Sequence, residues 1–326
     1  MRLRDLGEFG LLESLGLLRP ARPGPGWVGP GDDTAVLPLE GRNLLLTADA
    51  LVEDVHFRIP SVPPRDLGYK AVAVNASDVA AMGGEPWALT VTLTAPGSLE
   101  AAWVRELYAG LGEACAELGC LVAGGDTTSG AQVVLSVALV GTCGRPVLRS
   151  GGRPGHDLYV SGHPGESAAG LAMLERGEAP DHPLVRRHLR PSPRLALGQA
   201  LARGGLASAM IDVSDGLLQD AGHLTRACAC GADVWLERLP VSRRLRVAAA
   251  GLGRDPLELV LGGGEDYELL FSCPADRRGA VEAAARAAAT PVARIGRLAA
   301  RPGVRTLRDG RPAPLPDRTG YRHFAP

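Results

Sequence analysis

Read at helical spacing, residues 70–84, KAVAVNASDVAAMGG, present apolar side chains on nearly every side. Ala71, Val74 and Ala81 share a face with Ser77 and Asp78, while Val72, Val79 and Met82 fill most of the remainder. Such a segment predicts a helix that is buried most of the way round. Asp78 then lies where little water can hold its charge, and a lone ionised carboxylate there is costly unless it is paired or neutralised. Lys70 is the chain's only lysine, so an arginine or a metal ion is the expected partner. The alternative is a local hydrogen bond on a partly exposed face.

The same pattern carries along the chain. Asp5 and Glu8 have capping-box spacing and open an amphipathic helix that fades by Leu18, before a Pro/Gly-rich stretch over residues 19–30. Gly31-Asp32-Asp33-Thr34 turns into a strand, whose alternation sends the two acids to opposite faces, so that at most one aims at any single site. An almost wholly apolar strand over 43–48 ends at Thr47-Ala48-Asp49, where a tip acid can ligate or start a turn. A strand at 87–94, a helix at 98–118 and a short strand at 120–123 lead into the glycine loop GGDTTSG, and a strand over 131–142 follows. The Arg/Gly/Pro-rich run around 144–155 reads as an interdomain crossing, dividing the chain into 1–145 and 146–326. The second half restarts with a strand at 157–161, a helix at 166–175, the rigid turn HLRPSPR and a helix at 195–203. A strand ending in IDVSDG precedes another helix, and Gly262-Gly263-Gly264 precedes Glu265 and a strand at 269–273. A helix at 275–288 and one or two strands between 291 and 307 complete the pattern.

Composition narrows the class. With 45% hydrophobic and 22% charged residues, 326 residues suffice for two cored domains, and a net charge of −1 implies neither a nucleic-acid stripe nor a polybasic membrane surface. Arginine outnumbers lysine 34 to 1, which records base-composition bias more than chemistry, yet it leaves no Walker-type Gly-Lys-Ser/Thr. No apolar run reaches membrane-spanning length and MRLRDLGEFG lacks the centre of a signal peptide, so a cytoplasmic protein is expected. The six cysteines form no C-x-x-C pair and do not cluster with histidines; zinc and a disulfide framework are disfavoured.

Several positions carry chemistry. In GGDTTSG, glycines let backbone amides approach an anion, and Asp126 beside hydroxyls offers oxygen ligands to a hard cation, although a hairpin loop could look similar. Arg149 is either a phosphate clamp or a solvated linker charge. Asp212 in a strand and Asp215 just past it suit a second cation site, though Asp215 could simply cap the next helix. His56 is either a structural hydrogen bonder or a substrate contact. Taken together, Asp33, Asp49, Asp78, Asp126 and Asp212 lie near glycines, strand tips or apolar surroundings. If they converge, only several divalent cations would offset their repulsion; oxygen-only ligands select Mg²⁺, and Mg²⁺ beside glycine loops suggests a nucleoside triphosphate held without a P-loop.

At this point GDDTAVL, TAD, HF, KAVAVNASDVAAMGG, GGDTTSG, RSGGRPG, DLYVSG, HLRPSPR, IDVSDGL, GGGEDYEL and GYRHF together resemble thiamine-monophosphate kinases, in order from about Glu8 to Phe324. That family's superfamily includes aminoimidazole ribonucleotide synthetase, selenophosphate synthetase and a hydrogenase maturation protein. The resemblance implies an α/β (α+β) fold of two domains: an N-terminal domain that binds ATP and Mg²⁺ and contributes to an intersubunit β-barrel in a homodimer, and a C-terminal α/β domain that completes the active site. By position, it implies Mg²⁺ on Asp33, Thr47, Asp49, Asp78, Asp126, Asp212 and Asp215, and ATP facing Tyr108, Gly125, Asp126, Arg149 and Ser214. Thiamine monophosphate would lie near His56, Glu265 and Tyr321, with Asp126, Arg149 and Asp212 serving transfer. Ala48 departs from the pattern, since the family usually has a hydroxyl residue there. The implied reaction forms thiamine diphosphate and ADP by direct in-line transfer. The first cysteine, Cys115, is far from the N-terminus where selenophosphate synthetases carry theirs, and the chain ends in Pro326 where the maturation protein ends in cysteine. From another class, a non-catalytic ATP or metal sensor would share the same motifs.

Overall fold

The computed structural model describes residues 25–29, 31–316 and 319–321; the expected N-terminal helix, most of 19–30 and the end of GYRHF lie outside them. The first half runs β1 (Ala35–Leu39), β2 (Arg42–Val52), α1 (Pro64–Ala81), β3 (Glu85–Ala95), α2 (Ala101–Leu118), β4 (Leu121–Ser129) and β5 (Val134–Cys143). Its sheet has the order β1-β2-β5-β3-β4, antiparallel except for the β3–β4 pair. Along β5 burial alternates strictly, with Leu135, Val137 and Leu139 turned inward toward the core. Helix α1 packs on β2 and β5 with α2 beside it. The two helices meet at glycines: a Cβ on Gly68 would stand 2.0 Å from the Leu107 carbonyl oxygen, and one on Gly110 would stand 1.8 Å from that of Arg65. Two bare backbones let α1 sink into the core.

As the sequence predicts, α1 is buried on most sides, Lys70, Asn75 and Ser77 included. Proline at its first position needs no N–H partner, and Gly83, at φ +71°, lets the chain leave it sharply. The outer face of the sheet has no helix on it among the described residues: Leu46, Trp87 and Leu121 are exposed, and β4 is exposed along its whole length. The sheet is open, not a closed barrel.

The second half comprises β6 (Asp157–Ser161), α3 (Glu166–Leu174), α4 (Pro183–Leu189), α5 (Leu195–Arg203), β7 (Ala209–Val213), α6 (Leu217–Ala227), β8 (Gly231–Trp235), α7 (Arg243–Leu252), α8 (Pro256–Gly262), β9 (Glu268–Cys273), α9 (Arg278–Ala287), β10 (Val292–Ala299), β11 (Gly303–Arg308) and β12 (Arg311–Ala313). These strands form a second sheet, β12-β11-β8-β10-β6-β9-β7, in which only β8–β11 is parallel. Strands β6, β7 and β9 are buried on both faces. Helix α1 reaches into this half as well, where Ala80 and Ala81 share a core with Leu197, Leu201 and Phe271. A Cβ on Gly198 of α5 would lie 2.1 Å from the Ala80 carbonyl oxygen. One helix therefore belongs to both cores, and its polar residues fall at the seam.

Three local expectations are corrected. Strand β2 continues past Asp49, so that acid sits mid-strand and not at a tip. Asp32 and Asp33 precede β1 in a bend, so strand alternation does not govern them. Residues 124–129 of the expected glycine loop are strand, hydrogen-bonded along β3.

Candidate active site

Alternation along β2 turns Leu45, Thr47, Asp49 and Leu51 inward, paired in register with the inward Gly141, Leu139, Val137 and Leu135. Asp78 comes down from α1 to meet them. Among the described residues it is the Thr47 hydroxyl, and not an arginine, that donates to Asp78 Oδ2, at 2.5 Å. One residue earlier, Ser77 Oγ donates to Asp212 Oδ2 at 2.7 Å, joining α1 to β7 across the seam. Asn75 accepts the Asp49 N–H at 3.1 Å and donates to the Ala71 carbonyl at 2.9 Å. Carboxylate oxygens of Asp33, Asp78 and Asp212 all lie within 4.8 Å of one another.

Such crowding holds protons. Burial first, then the negative charge of Asp33, pushes Asp212 up to about 8. Asp49, exposed on the cavity wall, still rises to about 6, first through enclosure by surrounding protein and then through the charge of Asp215. Asp78 is raised well above the carboxylate range by burial and by Asp49 and Asp212. Protonation by several groups at once signals a site built for more positive charge than the chain supplies.

Arg149 supplies the part that is present. Its Nε and Nη2 donate to Asp33 at 3.1 and 3.0 Å, and its backbone N–H reaches Asp32 at 3.1 Å. Both acids of the bend therefore clasp one arginine, but only Asp33 joins the cluster. Burial would by itself lower the Arg149 pKa, and Asp33, with Asp32 and Asp212, more than offsets this. For Asp32, burial and the adjacent Asp33 raise it to about 7.

Beside this cluster opens a cavity of about 540 Å³, lined among others by Asp49, His56, Arg149, Ser214, Asp215, Glu265 and Tyr321. All three residues expected near the substrate are there. His56 Nδ1 accepts the Val52 N–H at 3.0 Å. Tyr321 is seated by its N–H on the Asp215 carbonyl at 2.9 Å, while Gln219 bridges Asp215 Oδ2 and the Tyr321 carbonyl at 2.8 and 2.7 Å. Asp215, Asp220 and His223 form a second group of converging ligand atoms. Asp215 does not cap α6; Asp220 accepts the N–H groups of Asp215 and Gly216 at 3.2 and 3.0 Å.

The loop that carries Glu265 is strained and pinned on every side. Glu265 and Tyr267 sit at φ +61° and +50°, a conformation that side-chain-bearing residues rarely adopt. The Glu265 N–H bonds to Ser214 O at 2.6 Å, and Tyr267 N–H to Val213 O at 2.8 Å. Asp266 accepts the N–H groups of Gly165 and Ser167 at the start of α3, and Glu268, wholly buried, takes Arg187 and Arg194. Lys70 and His188 meet the Glu265 carboxylate itself, at 2.7 and 3.4 Å. Sequence reasoning assigned neither of them a role, although a sole lysine among 34 arginines was the available signal.

Three expected site residues stand apart. Tyr108 is exposed on α2 and does not line the cavity, and neither do Gly125 and Asp126. Register explains why for Asp126. It pairs with Thr92, Thr92 with Ser136 and Ser136 with Ala50, all on the outer face, whereas Thr47 and Asp49 turn inward. Three strand steps also separate β4 from β2, on the order of 14 Å. Ala48, where a hydroxyl was expected, points outward on the same side as Asp126 and away from the Asp78 cluster.

The chain falls in the class of AIR synthase related proteins: the family model for their N-terminal domain matches residues 31–143 and that for their C-terminal domain residues 153–308. Within that class, the chain belongs to the thiamine-monophosphate kinase family. It is 42% identical over 306 residues to the Thiamine-monophosphate kinase of Escherichia coli (strain K12), spanning 91% of this chain and 92% of that protein. A solved structure of AaThiL complexed with AMPPCP and TMP superposes with a TM-score of 0.87 at 36% identity, covering 99% of both chains. The Thiamine-monophosphate kinase of Stenotrophomonas maltophilia K279a gives a TM-score of 0.76 at 36% identity, over 93% of this chain and 96% of that one. E. coli HypE, a hydrogenase maturation protein, shares the fold at 23% identity and a TM-score of 0.72, over 97% of this chain and 99% of that one.

Proposed function

We propose that this chain transfers the γ-phosphoryl group of ATP to the phosphate of thiamine monophosphate, in the cavity where Arg149, Ser214 and Asp49 meet His56, Glu265 and Tyr321. That shared cavity is the observation that carries the reading: phosphate-handling and ring-handling groups open into one space of about 540 Å³, a size suited to small ligands. The acceptor is a phosphate oxygen, largely deprotonated near neutral pH, so the reaction needs no strong base. Catalysis then consists of holding two anions in line. Arg149 commits two of its five N–H donors to Asp33 and keeps others for phosphoryl oxygens. His56 and Glu265 would orient the thiamine, and Tyr321 would lie along its cationic ring, a contact worth about 0.5–2 kcal/mol.

Oxygen-only and mutually repelling donors, two of the three in the cluster buried and Asp78 half-buried, fit a hard divalent cation. Asp33, Asp78 and Asp212, with Thr47 and Asp49 beside them, would hold Mg²⁺, and Asp215 a further ion. Mg²⁺ bound there would neutralise charge on the reacting phosphates.

For Tyr108, Gly125 and Asp126 the outward direction of Asp126 supports action across a dimer. The sheet's uncovered outer face, with Leu46, Trp87 and Leu121, would pair with a second copy to close the β-barrel, and each copy would lend its Asp126, and with it a further metal ligand, to its partner. ATP as donor goes with a cytoplasmic setting. Purified protein incubated with ATP, Mg²⁺ and thiamine monophosphate should yield ADP and thiamine diphosphate in equal amounts on chromatography. Binding of ATP with no turnover would instead support the sensor reading, and radiolabelled phosphate trapped covalently on the protein would exclude direct transfer.

A further inference from the structure

Among 35 basic residues of the Lys/Arg type, 34 are arginine, so the one lysine occupies a place where composition alone would put arginine. That lysine is not a solvated surface charge. Lys70 sits in the first half of α1 with its side chain 4% exposed, and its Nζ lies 2.7 Å from Glu265 Oε1 and 3.5 Å from His188 Nε2. His188 in turn places Nδ1 3.4 Å from Glu265 Oε2 and 3.1 Å from Ser167 Oγ. The Glu265 carboxylate is thus held at both oxygens by groups from α1 and α4, while its backbone is fixed at φ +61° by Ser214.

The chemistry of the two bases explains why lysine suits this spot. An ammonium is a compact point charge with three donors, whereas a guanidinium is a flat fork with five N–H groups to satisfy. Lys70 lies between one carboxylate oxygen and one imidazole nitrogen, in a helix packed against two cores. His188 is held neutral, pushed down to about 4 by burial and then by Lys70, so Nε2 can accept from the ammonium. Glu265 stays ionised: burial would raise it, but the charge and hydrogen bond of Lys70 pull it below the usual range.

We propose that Lys70 is a positioning residue for thiamine monophosphate, which with His188 aims the Glu265 carboxylate into the cavity so that the substrate's rings meet an oriented anion. The proposal rests on the reading that Glu265 faces thiamine monophosphate. It assigns Lys70 no contact with ATP and none with the transferred group.

Steady-state constants for both substrates test it, measured on Lys70→Met, Lys70→Arg, Glu265→Gln and the double variant Lys70→Met/Glu265→Gln. Lys70→Met and Glu265→Gln should each raise KM for thiamine monophosphate by about tenfold or more while KM for ATP stays within about twofold. Lys70→Arg should not restore the wild-type value. The double variant should be no worse than Glu265→Gln alone, because both changes remove one interaction. A Lys70→Met enzyme with wild-type constants, a parallel rise in KM for ATP, or wild-type behaviour of Lys70→Arg would each overturn the proposal. If Lys70→Met does not fold with Glu265 left unpaired, the neutral double variant decides: a KM well above that of Glu265→Gln would mean Lys70 acts elsewhere. A silent Glu265→Gln would remove the reading beneath the proposal, and the proposal with it; an impaired Glu265→Gln beside a silent Lys70→Met would sink the positioning role alone.

Discussion

Asp78 and Asp212 share a seam where two hydroxyls, Thr47 and Ser77, are their direct donors. A hydroxyl can share a proton but cannot cancel a charge, so the metal-free protein keeps protons that its unfolded chain would release. Asp49 at about 6 and Asp212 at about 8 both stand above the ordinary aspartate value. The folded state therefore binds more protons across that window, and its stability must fall as pH rises from about 4 to about 8. Ligation by Mg²⁺ requires the ionised forms and works in the opposite sense. Thermal melts of metal-free protein should show Tm dropping over this range, with the gain from added Mg²⁺ growing at the alkaline end. A metal-free Tm that climbs with pH would reject the account. Asp212→Asn should raise metal-free stability at pH 8 by on the order of 1 kcal/mol and lose most of the Mg²⁺ response. The acids themselves were legible in the sequence because aspartates amid alanine, valine and glycine have no solvated helix face to explain them. What they touch was not: nothing in KAVAVNASD says that Thr47 from strand β2 answers Asp78, or that Lys70 points at Glu265 nearly two hundred positions away.

Elements bring these side chains together through close backbone contact. Helix α1 reaches β7 because Gly68 and Gly110 let α2 press on it from one side, and Gly198 lets α5 press from the other. Gly198→Val should cost about 3 kcal/mol in denaturant unfolding, and it should also lower activity, since displaced α1 carries Asp78 away from Asp212. Gly251→Ala makes the matching control: it lies in α7 with nothing within 4 Å of the added Cβ, so it should be neutral or stabilise by about 0.5–1 kcal/mol. Equal losses in the two variants would mean that helix packing at Gly198 is not what matters. The buried helix and the apolar strands could be read from period alone. Strand β4 could not, because GGDTTS at a sheet edge is exposed on both faces and so shows no alternation. Likewise, the bend at Asp32 and Asp33 is shaped by Arg149 from the crossing between the two halves, a partner that local pattern does not contain.

At the scale of the whole molecule, the proposed role of Asp126 requires a second copy. Inward residues of β2 and outward residues of β4 cannot meet within one sheet, whatever small motions the chain makes, because moving between faces would require a one-residue slip of the register. If Asp126 serves the partner's site, two inactive variants should repair one another. Asp126→Asn removes what a subunit gives, and Asp212→Asn removes what it holds, so a mixed dimer retains one site with both intact. Equal amounts of the two, allowed to exchange subunits, should recover about a quarter of wild-type activity, since half the dimers are mixed and each has one complete site. Should Asp126 act in its own chain, each mixed dimer would carry two damaged sites and mixing would recover nothing. A charged residue at the outer face, Leu46→Glu, should abolish the recovery by keeping the subunits apart, with sedimentation reporting monomers. Leu46→Glu subunits that still form dimers and still recover activity would place the interface elsewhere.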